Sequence, residues 1–184
     1  MEIKITTSMM LKILYILSWI IFVGLCIDAG GFLSNTIYTL SVNSDLSSHF
    51  WNKLDFSDLY NYDSGQFFAV TTYINIVAIL KCILFYSIIK VLHDKHLNMK
   101  QPFNRAIGRF ISMMAYITLS IGLFSSWGKS YVHWLETKNI KIPDVEFLKI
   151  DGDGVWFFMG IVLLVIAQIF KKGIELQEEN ELTI

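Results

Sequence analysis

The sequence predicts an all-α integral membrane protein: a bundle of four transmembrane helices, with two extracytoplasmic loops that could hold short helices or strands. Two observations predict this class, since 54% of the 184 residues are hydrophobic and only 17% are charged. Soluble domains average about a quarter charged residues. The formal net charge of −1 gives no basic excess to attract nucleic acid, so direct nucleic-acid binding is not expected.

Four apolar stretches predict the spans, and these are residues 13–33, 67–89, 110–127 and 155–170. The fourth reaches only about 24 Å as a helix, so we expect it to borrow length from its flanks, where Lys171 and Lys172 can snorkel. None of the stretches alternates as barrel strands do, which leaves helices as the spanning element. The first exceeds the apolar core of a signal peptide and is interpreted as a span. Residues 1–184 are therefore predicted to form a single four-span domain.

The placement of lysine and arginine predicts that both termini face the cytoplasm. Nine basic residues precede span one, surround the second connection or follow span four, whereas five lie in the outer loops 34–66 and 128–154. Cytoplasmic connections are enriched in lysine and arginine. The two long loops also carry nine acidic residues between Asp45 and Asp153, and we expect them on the outer side.

Outer loop 34–66 is rich in aromatic residues, namely Phe50, Trp51, Phe56, Tyr60 and Tyr62. Two interpretations are open. The segment could be an amphipathic helix lying on the bilayer surface, or an aromatic lid that packs over the bundle and closes a cavity. The surface interpretation is favoured because aromatic side chains prefer membrane interfaces.

Outer loop 128–154 and the second connection hold the remaining local patterns. Apolar residues alternate within 140–150, which predicts a strand or hairpin. Asp151-Gly152-Asp153-Gly154 has the opening of a calcium loop without its closing glutamate, so a tight turn before span four is favoured. His93-Asp94-Lys95-His96 has too few ligands for a metal site and is interpreted as a solvated loop.

Four polar or charged residues within the predicted spans are candidate functional residues: Asp28, Asn75, Lys81 and Gln168. An ionisable side chain inside a bilayer is costly and indicates function by default. Depth counted along the helices separates Asp28 from Lys81 by some 10 Å, which disfavours a direct ion pair. Asn75 and Gln168 are competing partners for the ammonium group of Lys81.

Small and polar residues predict which helix faces look into the bundle. They are Thr71, Asn75, Ala78 and Cys82 in span two, and Gly108, Ser112, Thr118, Gly122 and Ser126 in span three. Such stripes permit close helix approach in membranes. Cys26 and Cys82 fall within predicted helices and are interpreted as small core residues rather than an external disulfide.

The sequence contains no catalytic constellation, since HExxH, GxSxG and phosphate-loop motifs are all missing. We therefore expect neither an enzyme nor a cofactor. The acidic tail 171–184 has two open interpretations, a fraying helix end or a docking segment for a cytoplasmic partner. The docking candidates are Glu175, Leu176, Glu178, Glu179, Leu182 and Ile184.

Two features carry a family resemblance: the Pro102-Phe103 turn leading through Asn104, Arg105 and Gly108 into span three, and the stretch 160–170 running into the tail. On these residues the chain resembles the small bacterial four-helix membrane proteins of domain of unknown function 2975. Members of that family commonly have an acidic residue where this chain has Gln168, and an arginine pair where it has Lys171 and Lys172.

The resemblance implies a protein of the bacterial cytoplasmic (inner) membrane with no assigned activity, often encoded beside a small helix-turn-helix transcription regulator. The favoured function is a non-enzymatic regulatory or sensor protein whose tail and second connection contact such a regulator. Two alternatives stay open. One is a small transporter or oligomeric channel with Lys81, Asn75 and Gln168 in its polar route, and the other is a helper subunit of a larger membrane complex.

Overall fold

The computed structural model describes residues 7–93 and 105–181, and it is almost entirely helical. The helices are α1 (Thr7–Ser41), α2 (Ser57–Tyr62), α3 (Ser64–His93), α4 (Arg105–Glu136) and α5 (Asp153–Glu181), with 3₁₀ helices at Ser44–His49 and Trp51–Lys53. No β-strand occurs in these residues. Four of the helices, α1, α3, α4 and α5, are long and apolar enough to cross a membrane, which confirms the predicted fold class.

The four long helices exceed the predicted spans at both ends. α1 has 35 residues and α4 has 32, which corresponds to about 50 Å of helix. The hydrocarbon core of a bilayer is only about 30 Å thick. The helices must therefore project beyond the bilayer, and the projecting turns are too polar to be found by searching for apolar runs.

Consecutive long helices pack antiparallel: α1 on α3, α3 on α4, and α4 on α5. One end of the bundle, here named the terminal end, holds the start of α1, the end of α3, the start of α4 and the end of α5. The opposite end, named the loop end, holds the segments 42–63 and 137–152. The stacked rings of Tyr15 and His93, 6.2 Å apart, mark the terminal end.

Small residues let α4 and α5 approach closely, as the stripe in span three predicts. A Cβ atom at Gly122 would lie 3.0 Å from the backbone nitrogen of Phe157, and one at Gly160 would lie 2.6 Å from the Leu119 side chain. Thr118 is buried as expected, but Ser125 rather than Ser126 is the fully buried serine of this face. Gly122 follows Thr118 by four residues and Ser125 follows Gly122 by three, because a helix with 3.6 residues per turn keeps to one face by combining steps of four and three.

Four phenylalanines form a compact cluster at the loop end, named the loop-end core: Phe32, Phe50, Phe56 and Phe67, each at most 1% exposed. Phe56 meets Phe50 and Phe67 edge to face, with ring centroids 5.1 and 5.7 Å apart, the geometry that aromatic quadrupoles favour. Segment 44–62 is therefore packed onto α1 and α3. The favoured interpretation, a helix lying on the bilayer surface, is wrong for these residues, although Tyr62 is exposed.

The strand or hairpin predicted within 140–150 is wrong, because this segment folds as turns. The Lys149 amide donates to the Glu146 carbonyl at 3.1 Å, and Lys149 has a φ of 60° that reverses the chain. The alternating apolar residues Ile140, Leu148 and Ile150 are nevertheless buried. Their alternation reflects packing of a turn segment onto the bundle, and pairing with a second strand is not needed to bury them.

The segment 151–154 forms a turn that leads directly into α5. Gly152 has a φ of +72°, a conformation that favours glycine, and its carbonyl accepts the Val155 amide at 3.0 Å. Asp153 is the first residue of α5 and lies 3.3 Å from the Lys129 ammonium. A carboxylate at this position also complements the positive end of the helix.

Candidate functional site

Lys81 uses its ammonium group to hold the second loop against the bundle. Its Nζ donates to the Lys149 carbonyl at 2.8 Å and lies 5.6 Å from the ring centroid of Trp156. Lys149 precedes α5 and Trp156 lies in its first turn, so the charge reaches the loop-end edge of the apolar stretch 155–170. The backbone of Lys81 lies near the middle of α3, but the side chain snorkels away from it.

Asp28 is bound by the first loop and not by Lys81. Its Oδ1 accepts from Trp51 Nε1 at 3.2 Å and lies 3.5 Å from Asn52 Nδ2. The Trp51 indole covers Gly31, where a Cβ would come within 2.1 Å of the ring. An ion pair between Asp28 and Lys81, disfavoured by the sequence, is not among the contacts of the described residues.

Asn75 pairs with α1 inside the bundle. Its Nδ2 donates to Thr36 Oγ1 at 3.0 Å, while its Oδ1 is buried without a hydrogen-bond partner among the described residues. Thr71, one turn earlier, is also buried, so the polar stripe of span two faces inward as predicted. Neither this residue nor Gln168 is a partner of Lys81, although both were expected to compete for it.

Gln168 lies at the terminal end, in a cavity between α4 and α5 named the α4–α5 cavity. The cavity has a volume of about 570 Å³. Its walls are formed by Arg105, Gly108, Arg109, Ser112, Ala167, Gln168, Lys171, Ile174, Glu175 and Glu178. Lys81, Asn75 and Gln168 therefore lie in three separate environments. Within the part of the chain that the structure describes, they do not line one polar route.

Ion pairs hold three of the charged cavity residues in place. Arg105 makes a bidentate contact with Glu178, with Nε and Nη2 donating at 2.8 Å each, and Lys172 contacts Glu175 at 3.1 Å. Both contacts are exposed to solvent, where ion pairs stabilise little. The Arg105–Glu178 pair joins the start of α4 to α5 beyond the apolar stretch, whereas the Lys172–Glu175 pair lies within α5.

Two cations of the α4–α5 cavity remain without such a partner. Arg109 and Lys171 face the cavity from opposite helices, and neither makes a hydrogen bond or ion pair within residues 7–93 and 105–181. Neither Arg109 nor Lys171 is among the candidate functional residues that the sequence predicts. The signal that could have found the site is Arg105, Arg109 and Ser112, which the helical repeat places on one face of α4.

The first part of the tail, residues 171–181, continues α5 as a helix and is here named the α5 extension. The helix therefore does not fray where the apolar stretch ends. It stays helical to Glu181, with Ile174 near Gly108 and Glu178 on Arg105, while Leu176 is 51% exposed. Leu182 and Ile184, two of the docking candidates, lie outside the described residues.

The remaining candidates have simple surroundings. His93 ends α3, and its Nδ1 lies 3.3 Å from the Tyr15 hydroxyl, whereas the rest of the His93-Asp94-Lys95-His96 motif lies outside the described residues. Both cysteines are free, but Cys26 is exposed and Cys82 only partly buried. Interpreting Cys26 as a core residue was wrong, because α1 packs on α3 with one side only.

Residues 54–184, well over half of the chain, match the model of the family described as protein of unknown function (DUF2975). The match includes α2 to α5, and so the α4–α5 cavity and the α5 extension. No curated protein and no solved structure matches the chain.

Proposed function

Because the chain belongs to the DUF2975 family of proteins of unknown function, we propose a function from the geometry of its bundle: a non-enzymatic regulatory or sensor protein of the bacterial inner membrane. In this proposal the α5 extension presents a docking surface to a cytoplasmic protein, a small helix-turn-helix transcription regulator. The loop end, on the outer side, or the surrounding lipid supplies the signal.

One observation carries the proposal, the continuation of α5 as a helix past the end of its apolar stretch. The apolar stretch ends at Phe170, yet the helix runs to Glu181, about 16 Å farther. A helix held by Arg105 on one side and exposing Leu176 on another has the shape of a docking element. Apolar anchors with acidic neighbours suit a groove with a basic rim.

The charge distribution supports the cytoplasmic placement of this surface. The basic residues at the terminal end outnumber those of the two long loops by nine to five, the bias found in inward-facing connections. A fluorescent reporter fused after Ile184 that folds only in the cytoplasm should be bright, and the same reporter inserted within 137–152 should be dark.

A pull-down from native membranes with an N-terminal tag tests the docking surface. We expect the full chain to capture a small helix-turn-helix protein, and Leu176→Asp to lose it because a charge replaces the apolar anchor. Lys172→Gln is the matched control, since Lys172 is exposed on the same helix and is not one of the docking candidates. Unlike deletion of residues 173–184, neither change disturbs the Arg105–Glu178 pair.

Other outcomes contradict the proposal. Capture of integral membrane subunits alone would support a helper subunit of a larger complex. A chain that elutes alone or as a homo-oligomer would leave the α5 extension without a partner, and transport by an oligomer would become the stronger hypothesis.

A further inference from the structure

We propose that the α4–α5 cavity binds the phosphate group of an anionic phospholipid. The inference concerns a ligand of the bilayer itself, and it stands whether or not a protein docks on the α5 extension. Two cations could hold either the phosphate ester of a lipid or free phosphate. The level of the cavity in the membrane distinguishes these two sources.

The charges of the cavity are arranged to receive an anion. Its two acids, Glu175 and Glu178, are each held by a base, Lys172 and Arg105. Arg109 and Lys171 project from facing helices into the same space with no partner in the described part of the chain. Two unpaired cations on opposite walls favour one anion between them, because each gains a partner that the protein does not supply.

Polar groups on the same walls complete the surroundings. The exposed Gln168 amide has no hydrogen-bond partner among the described residues and can donate to a phosphate oxygen. The Ser112 hydroxyl already donates to the Gly108 carbonyl at 3.0 Å, so the donors to a phosphate are the two cations and the Gln168 amide. The positive end of α4, which begins at Arg105, adds a favourable field for a negative group.

The level of the cavity in the membrane favours a lipid over a soluble anion. The apolar stretch of α4 begins directly after Arg109, and that of α5 ends directly before Lys171. Both cations therefore lie where the hydrocarbon meets the headgroups. Ala167 lines the same cavity, and Leu164 lies one turn before Gln168 on the same face of α5, which gives an acyl chain an apolar path from the phosphate towards the hydrocarbon. Basic pockets between helices at this level are typical of anionic-lipid sites.

The size of the cavity is compatible with a headgroup. About 570 Å³ is within the usual range for small-molecule sites, roughly 300 to 1,000 Å³. The Arg105–Glu178 pair lines the cavity at least one helical turn beyond Arg109 and Lys171, on the side away from the hydrocarbon, so the two unpaired cations are the ones nearer the bilayer.

The test is a titration of the purified full chain in neutral detergent with phosphatidylglycerol, followed by its melting temperature and by native mass spectrometry. Phosphatidylcholine and inorganic phosphate are titrated in parallel. We expect phosphatidylglycerol to raise the melting temperature and to remain bound. Arg109→Gln and Lys171→Gln should each raise the half-saturating concentration about five-fold, and the double variant about twenty-five-fold.

Three further variants control for folding and for general charge. Lys90→Gln removes an exposed cation at the end of α3, outside the cavity, and should leave lipid binding unchanged. Gln168→Glu keeps both cations but adds a carboxylate to the cavity, so it should also weaken phosphatidylglycerol binding, even if the cation variants fail to fold. Leu176→Asp, which abolishes partner docking in the proposed function, should bind lipid normally.

Three results would overturn the proposal. Phosphatidylcholine could bind as tightly as phosphatidylglycerol, which would remove the charge requirement. The double variant and Gln168→Glu could both retain wild-type affinity, which would place the lipid elsewhere. Inorganic phosphate could displace the lipid over the same concentration range, which would assign the cavity to a soluble phosphate.

Discussion

The two ends of the bundle are built differently. The loop end is closed by a core of four phenylalanines, and its polar anchors, Asp28 and Lys81, each bind a loop segment. The terminal end has an open cavity, exposed ion pairs and an apolar side chain on the α5 extension. A buried aromatic core resists change, whereas a cavity with unpaired cations is available for ligands. We therefore expect substitutions at the loop end to change stability most, and substitutions at the terminal end to change the docking and lipid binding that we propose.

The largest effect is expected from opening the loop-end core. Phe56→Ala removes a ring that is 0% exposed and leaves a cavity, so the free energy of unfolding should fall by about 3–5 kcal/mol. Thermal unfolding of the purified protein in detergent measures it. Tyr62→Ala is the matched control in the same segment, because Tyr62 is exposed, and it should change stability by less than about 0.5 kcal/mol. Equal losses would show that the loop end is not a packed unit.

Adjacent glycines give a sharper test of how the first loop is attached. Gly31→Ala would place a methyl group within 2.1 Å of the Trp51 ring, and displacing the indole also removes the hydrogen bond to Asp28. We expect a loss of about 1–3 kcal/mol, a shift in tryptophan fluorescence and faster proteolysis within 44–62. Gly30→Ala meets nothing within 4 Å and should be neutral or slightly stabilising. If the two variants behave alike, Trp51 does not pack on α1.

Replacing Lys81 distinguishes anchoring of the second loop by its side chain from a role in transport. Lys81→Met leaves the Lys149 carbonyl without its donor, which should cost about 1–3 kcal/mol and increase hydrogen exchange within 145–152. Lys90→Met changes an exposed lysine of the same helix and is the control. Unchanged stability combined with lost solute flux in vesicles would contradict the anchoring role and favour the transport alternative.

Sequence patterns predicted the membrane-spanning segments of this protein, but they did not predict the segments whose structure depends on tertiary packing. The apolar runs located all four spans, because a spanning helix must be apolar whatever its neighbours are. Residues 34–41 lie in the last turns of α1, whereas the sequence predicts a loop there. Polar residues in this segment are buried only through contacts with other helices, such as the hydrogen bond from Asn75 to Thr36, and a search for apolar runs does not find such contacts.

The candidate site shows the same limit. The partner of Lys81 is a backbone carbonyl, and every residue carries one, so no residue type signals it. Arg109 and Lys171 could be placed near the membrane surface from sequence. Their meeting in one cavity depends on the register between α4 and α5, which small residues such as Gly122 and Gly160 set through close contact.

The smallest effect is expected at the rim of the terminal end. Arg105→Glu breaks the contact with Glu178 and should lower the melting temperature only slightly, because both side chains are exposed and water screens the charges. The reversed pair, Arg105→Glu with Glu178→Arg, should restore the wild-type value, whereas two independent losses would show that the residues do not interact. A larger effect is expected on the orientation of the α5 extension, measured as the distance between spin labels at positions 116 and 177. If that distance is unchanged in Arg105→Glu, the ion pair does not hold the extension, and the packing of Ile174 near Gly108 alone must fix the docking surface.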